Sequence, residues 1–370
     1  MPSASDRSIA IVLGTRPEEI KLSVLIALLG DQARVIHTGQ HYSPDLTGHH
    51  RPHVQLHIGG QHRGVQIGAA TAQLTQAWHA DPPAVVIVQG DTNAALAGAL
   101  AANAVSVPLI HVEAGLRSHD RGMPEEHNRV VIDHLADLCC AATEGNVANL
   151  WAEGIPDSRI ILTGNTIVEA VHLAKRDHAT AQQVTAPLGD QPYVLCTLHR
   201  PENVDHPDRL RRILVSLTEL DLPVVLAIHP RTRQRVHDYG LDRLLDGMHV
   251  ARPLTYPAFL AVAERATLLI SDSGGIQEEA SILGARLLVL RRSTERPEAL
   301  GKDCVLVPNP ALLGEATRSM SGRPRRPSGV SSPFGDGRAS ARIADLAEML
   351  ATNGPGLLRQ TAVQSRSAVS

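Results

Sequence analysis

The sequence predicts an α/β protein built from two similar halves, each a doubly wound parallel sheet. Three observations carry this. Short apolar runs rich in β-branched residues recur along the chain, continuous rather than alternating, as in parallel strands covered on both faces. Longer segments with helical patterning separate them, which is the order of right-handed β-α-β crossovers. The series then stops near mid-chain and begins again, so the 370 residues divide more naturally into two cores than one.

The first series occupies residues 9–13, 34–37, 84–88, 109–112, 138–142 and 160–162. The second occupies residues 193–197, 224–228, 249–251, 267–270, 287–290 and 304–307. Gly, Pro, Asp or Thr bounds each run. Between the series, residues 174–191 are polar and then carry Pro187, Gly189 and Pro192, a linker composition. The expected domains are residues 1–175 and 190–338. Residues 319–337, rich in Ser, Arg, Pro and Gly, are expected to be irregular. An amphipathic helix over 339–352 is expected to complete the first domain, with a frayed polar tail over 353–370.

Composition excludes several classes. Net charge is −3 and aromatic content 2%, which leaves neither a basic surface nor stacking platforms for nucleic acid. Hydrophobic content of 43% and charged content of 20% are ordinary for a soluble globular chain. The N-terminus carries no apolar signal region, and no run is long enough to span a bilayer. Cys139, Cys140, Cys196 and Cys304 fall in no CxxC or Cys/His zinc spacing and read as buried thiols in a reducing compartment. A cytoplasmic enzyme with no metal and no cofactor is the expectation.

The polar residues with chemistry in them sit just past the strands. Thr15, Arg16, Pro17 and Glu18 follow the first run, Gly39-Gln40-His41 the second, Gly90-Asp91-Thr92 the third and Glu113 the fourth. In the second half His199-Arg200, His229 and Ser273-Gly274-Gly275 do the same. Open α/β sheets bind ligands at that edge, near a topological switch point. Ser273-Gly274-Gly275 between strand and helix makes an anion cradle: helix-start N–H groups point outward, and the glycines let a phosphate approach. Glu278 and Glu279 are too near that anion to ligate it and suit hydroxyls, such as those of a ribose. The stretch therefore reads as a nucleotide site.

Plainer readings stand beside these. Asp91-Thr92 has the form of an N-cap. His111 reads as a satisfied core histidine. Glu125 and Glu126 after Pro124 suit a helix N-terminus. The His49-His50 pair, His53, His57 and His62 read as a solvated loop. Glu113, a carboxylate among small apolar neighbours, is read as functional. No GxGxxG follows the first strand and no GxxxxGK[ST] is present, which argues against a dinucleotide fold and a P-loop.

Taken in order, Gly14-Thr15-Arg16-Pro17-Glu18, Thr38-Gly39-Gln40-His41, Gly90-Asp91-Thr92, His111 to Arg117, Pro124 to Arg129, Gly164-Asn165-Thr166, His199-Arg200, Asp272 to Glu279 and Thr294 to Glu298 resemble the non-hydrolysing UDP-N-acetylglucosamine 2-epimerases. The family often has a second Arg where Pro201 stands, and the stretch from Tyr42 to Arg63 is atypical of it. The resemblance implies two facing Rossmann-like domains of the GT-B glycosyltransferase type around a central cleft. It implies a UDP-sugar as substrate and a homodimer. It assigns Arg16, Lys21, His229, Ser273, Gly274 and Gly275 to the pyrophosphate, Glu279 to the ribose, Phe259 to the uracil side and Arg296 to UDP. It makes Asp91, Glu113, Glu125 and His199 catalytic. A hydrolysing epimerase, a glycosyltransferase of the same fold and a non-catalytic UDP-sugar sensor are the alternatives.

Overall fold

The computed structural model describes residues 8–40, 52–322 and 332–354. His41, the His49-His50 pair and the tail beyond Gly354 lie outside these residues. The chain forms two compact units. One takes residues up to His172 and again from Phe334, and the other is Leu173–Pro333.

The first unit holds seven strands: β1 (Ile9–Leu13), β2 (Ala33–His37), β3 (Val54–Gln55), β4 (Val85–Gln89), β5 (Leu109–Ala114), β6 (Leu138–Ala141) and β7 (Ile160–Leu162). They lie side by side in the order β3-β2-β1-β4-β5-β6-β7, and every pair is parallel. Alternate residues of β1 enter two different cores. Ile9, Ile11 and Leu13 pack with Leu22, Leu25, Ile343, Ala347 and Leu350, while Ala10 and Val12 pack with Trp78, Val88, Ala95 and Ala99. Both faces are covered, which is why the strand reads as an unbroken apolar run. Each large aliphatic side chain buried this way stabilises the fold by about 1.5–3 kcal/mol. The helix Ala339–Asn353 supplies part of the first of these cores and packs on the helix Arg16–Leu29.

The second unit holds β8 (Val194–Thr197), β9 (Val224–Ala227), β10 (His249–Ala251), β11 (Leu268–Ser271), β12 (Leu287–Val289) and β13 (Cys304–Leu306). Their order is β10-β9-β8-β11-β12-β13, again all parallel.

Three local readings change. Residues 174–191 are no bare linker: they carry the helix His178–Thr185, which packs on the helix Tyr256–Arg265 in the second unit. The stretch around His53 is not all loop, because β3 pairs with β2 there. The run at 109–112 extends to Ala114 across a register shift against β6. All four cysteines are free and buried, and burial pushes the Cys140 and Cys304 thiols up to about 12. Among the described residues no helix is long and apolar enough to cross a membrane.

Candidate active site

The strand orders locate a switch point in each unit. In the first, chain direction across the sheet reverses between β1 and β4, so the turns after those strands diverge. Those turns are Gly14-Thr15-Arg16 and Gly90-Asp91-Thr92. In the second, it reverses between β8 and β11, whose following turns are His199-Arg200 and Asp272-Ser273-Gly274.

Around the first switch point the carboxylates are held by named partners. Asp91 is half-buried, and the guanidinium of Arg129 donates to it through Nε at 2.9 Å and Nη2 at 2.6 Å. Asn128 Nδ2 donates to the Asp91 carbonyl at 2.7 Å. Both partners stand on the helix Pro124–Leu135, so that helix fixes the Asp91 backbone and side chain together. Glu113 lies in β5 with φ +67°, a left-handed backbone that is uncommon for a residue with a Cβ. Its carboxylate is buried, accepts from Lys21 Nζ at 2.6 Å and accepts a short bond from Gln89. Lys21, which the resemblance assigned to pyrophosphate, thus stands beside a candidate catalytic carboxylate. Strain at a register shift, in a residue with a buried charge, is a pattern found at functional sites.

Glu125 and Glu126 separate clearly. Glu125 is exposed on the first turn of its helix. Glu126 is buried and accepts from the Ser118 and His119 N–H groups at 3.0 and 2.8 Å and from Arg129. Burial alone would raise its carboxyl, but those donors and Arg129 outweigh it and hold the group below the usual range. Glu126 thereby shapes the loop, and Glu125 keeps its carboxylate in solvent.

Glu18, which the sequence marks only as one of the polar residues past the first strand, has a definite task here. It is 2% exposed and accepts from the Gly14 N–H at 3.0 Å, the Thr15 hydroxyl at 2.8 Å and the Thr92 hydroxyl at 2.6 Å. One carboxylate therefore ties the turn after β1 to the turn after β4. Burial is the larger influence and pushes it up to about 7, against the pull of the three donors. The signal was in the sequence: Thr15-Arg16-Pro17-Glu18 has the spacing of a capping box, S/T-x-x-E. Arg16, half-buried, opens the helix that follows.

In the second unit, Ser273 is the N-cap residue of the helix Gly274–Leu283, and Gly274 and Gly275 form its first turn. A Cβ on Gly274 would lie 2.5 Å from Arg296 Nη1 and 2.7 Å from Glu295 Oε1, so a larger residue there would have to displace that ion pair. Arg296 itself is buried, donating to Glu278 at 2.5 Å and to Glu295 at 2.6 Å. It underpins the glycine turn. Glu279 is half-buried on the same helix, and Phe259 is half-buried on the helix Tyr256–Arg265.

Asp272 is fully buried and ties this second switch point. It accepts from the His199 N–H at 3.1 Å, the Arg200 N–H at 3.0 Å and Asn203 Nδ2 at 2.9 Å. The His199 ring stands 5.6 Å from the His229 ring, centroid to centroid. Burial, with help from Arg200, Arg231 and Arg291, holds His199 below its ordinary value, although Asp272 pulls the other way. A neutral imidazole at physiological pH is the result, able to accept a proton. His229 is exposed and caps the helix Pro230–Asp238, its Nδ1 accepting from the Arg231 N–H at 3.2 Å.

The chemistry assembled is thus a glycine-lined helix N-terminus with histidines in one unit, and cation-paired carboxylates at a sheet edge in the other. A family model described as UDP-N-acetylglucosamine 2-epimerase matches residues 30–348. A UDP-N-acetylglucosamine 2-epimerase of Methanocaldococcus jannaschii is 38% identical over 358 residues, covering 90% of this chain and 97% of the relative. The crystal structure of the UDP-GlcNAc 2-epimerase from that organism, in complex with UDP-GlcNAc and UDP, matches with a TM-score of 0.83 at 38% identity, over 92% of this chain and 99% of that one. A UDP-2,3-diacetamido-2,3-dideoxy-D-glucuronate 2-epimerase of Pseudomonas aeruginosa is 33% identical, covering 91% of this chain and 98% of its own. Matches of this extent take in both switch points, and the chain is an isomerase belonging to the UDP-N-acetylglucosamine 2-epimerase family.

Proposed function

We propose that this enzyme interconverts UDP-N-acetylglucosamine and UDP-N-acetylmannosamine without net hydrolysis. The supporting observation is the pair Asp91 and Glu113, each gripped by a cation, Arg129 and Lys21, at or beside one sheet's switch point. Such pairing fixes where each carboxylate points, as proton transfer to and from carbon requires.

The C2 proton of the sugar is not acidic in the ground state. Departure of UDP from C1 places positive charge next to C2 and makes that proton removable. Its loss gives a 2-acetamidoglucal, and protonation of the opposite face with return of UDP gives the epimer. Stabilising the departing diphosphate falls to Ser273, Gly274 and Gly275, where helix-start N–H groups face an anion, with Arg16 and His229 as cationic or hydrogen-bonding partners. Glu279 takes the ribose hydroxyls, Phe259 the uracil side, and Arg296 acts from beneath the glycine turn. Asp91, Glu113, Glu125 and His199 carry protons. A homodimer is proposed on the resemblance alone, and sedimentation of the pure protein tests it.

The decisive experiment follows the pure protein with UDP-N-acetylglucosamine in deuterated buffer by NMR. Both UDP-sugars should persist at equilibrium with deuterium at C2. Accumulation of free N-acetylmannosamine and UDP would identify a hydrolysing enzyme instead. A product without deuterium would rule out the elimination route.

A further inference from the structure

His111 does more than fill the core. It lies in β5 with no solvent exposure. Its Nδ1 is 2.6 Å from Asp133 Oδ1, and its Nε2 is 2.8 Å from the Gly90 carbonyl oxygen. A carbonyl oxygen only accepts. Asp133 also only accepts, because its ionised form is favoured: burial opposes the charge, but His111 and Arg117 outweigh it. Nε2 therefore donates to the Gly90 carbonyl, and Nδ1 is hydrogen-bonded to Asp133. The other Asp133 oxygen accepts from the Gly115 N–H at 3.2 Å and from Arg117 Nη2 at 2.7 Å. Arg117 in turn pairs with Glu153 at 2.6 Å. His111, Asp133, Arg117 and Glu153 thus form one connected polar group.

Such a group is a poor device for stability. Desolvating each buried ion costs several kcal/mol, and apolar side chains of similar shape often serve as well or better. Its placement gives the better reason for it. One arm ends on Gly90, the residue before Asp91. The other ends on Gly115, two residues after Glu113. Gly90 and Gly115 both have left-handed backbones, φ +69° and +79°, as does Glu113 between them in the structure's strained segment. We propose that the His111–Asp133 pair is a positioning device: it joins the turn that carries Asp91 to the end of β5 that carries Glu113 and fixes the spacing between those carboxylates. The proposal rests on the functional reading above for the meaning of that spacing, but the linkage itself is independent of it.

Three measurements test it. In wild-type protein, ¹⁵N spectra of the His111 ring at pH 7.5 should show a proton on Nε2; a bare Nε2 would overturn the linkage. That measurement needs neither a variant nor substrate, so it stands whatever the wild-type reaction proves to be. His111→Asn keeps a donor toward Asp133 and loses the one to Gly90, whereas His111→Gln keeps a donor at the Nε2 position. His111→Asn should lower kcat about 100-fold, as a misplaced group does, with KM and UDP affinity within twofold. His111→Gln should recover about tenfold of that loss, by the same argument from position. Equal activity in the two variants, or loss that follows thermal stability rather than the Gly90 contact, would overturn the proposal. Asp133→Asn, nearly isosteric, turns one of the two acceptor oxygens into a donor, breaks one arm and should fall about as far as His111→Asn. Wild-type activity in Asp133→Asn would count against it.

Discussion

Each unit ties its switch point with one buried carboxylate, and the two ties are made differently. Glu18 joins the turns after β1 and β4 through two hydroxyls and one N–H. Asp272 joins the turns after β8 and β11 through two backbone N–H groups and an amide. A hydroxyl can accept as well as donate, so Glu18 can keep its bonds to Thr15 and Thr92 after gaining a proton. N–H donors cannot reverse, so Asp272 is useful only as an acceptor. The first unit's tie therefore tolerates a change of protonation. The proposed roles differ in emphasis in the same way: the first unit supplies Asp91 and Glu113 toward proton transfer, and the second the glycine turn toward an anion.

The largest effect should come from separating those jobs. Asp91→Asn should lower turnover by about 10²–10⁴-fold, the usual contribution of a positioned acid or base. UDP affinity, measured by calorimetry, should stay within a few-fold. If nucleotide binding falls in parallel with turnover, Asp91 itself serves UDP binding and its proposed role in proton transfer fails.

The next effect is on the pH dependence of stability. Glu18 ionises near its ordinary 4.5 in the unfolded chain and at about 7 in the folded protein. Between those values the folded state holds the extra proton, so stability should be greatest below the window and fall as pH rises through it. The difference amounts to about 3 kcal/mol. Urea midpoints at pH 5 and pH 8 should therefore fall more for wild type than for Glu18→Gln. Parallel pH profiles for the two proteins would remove Glu18 from this role.

The smaller effect sharpens the other side. Asp272→Asn turns an amide N–H₂ toward donors and should cost about 1–3 kcal/mol, the range for a buried polar group left unmatched. An unchanged urea midpoint in Asp272→Asn would show that the second tie holds nothing in place.

Much of this was readable before any coordinates. Strands covered on both faces announce themselves as unbroken apolar runs, as at residues 224–228, and the polar turns beyond them marked Asp91, His199 and Ser273-Gly274-Gly275. What was hidden depends on contacts between distant residues. Strand order, and with it the two switch points, comes from pairings such as β1 with β4 that no local pattern encodes. Arg129 and Asp133 look like ordinary helix surface charges until the helix Pro124–Leu135 is packed, when one reaches Asp91 and the other His111. The left-handed backbone at Glu113 had no glycine to advertise it. The helix His178–Thr185 was obscured by polar composition, because its support comes from the helix Tyr256–Arg265. Reading His111 as a satisfied core residue was correct as to its bonds and silent as to what those bonds hold.

The helix Ala339–Asn353 separates the order of synthesis from the order of folding. The second unit is a single uninterrupted segment, Leu173–Pro333, and has its whole core as soon as that segment is made. The first unit is synthesised earlier but lacks Ile343, Ala347 and Leu350, which cover one face of its sheet. Until they arrive, the apolar face around Ile9, Ile11 and Leu25 stays uncovered, a hazard for aggregation. Nascent chains stalled just past Pro333 should thus show a protease-resistant second unit beside a sensitive first one, and resistance of both would mean the late helix is dispensable. The half proposed to carry the proton chemistry would then be the last part of the newborn enzyme to become functional.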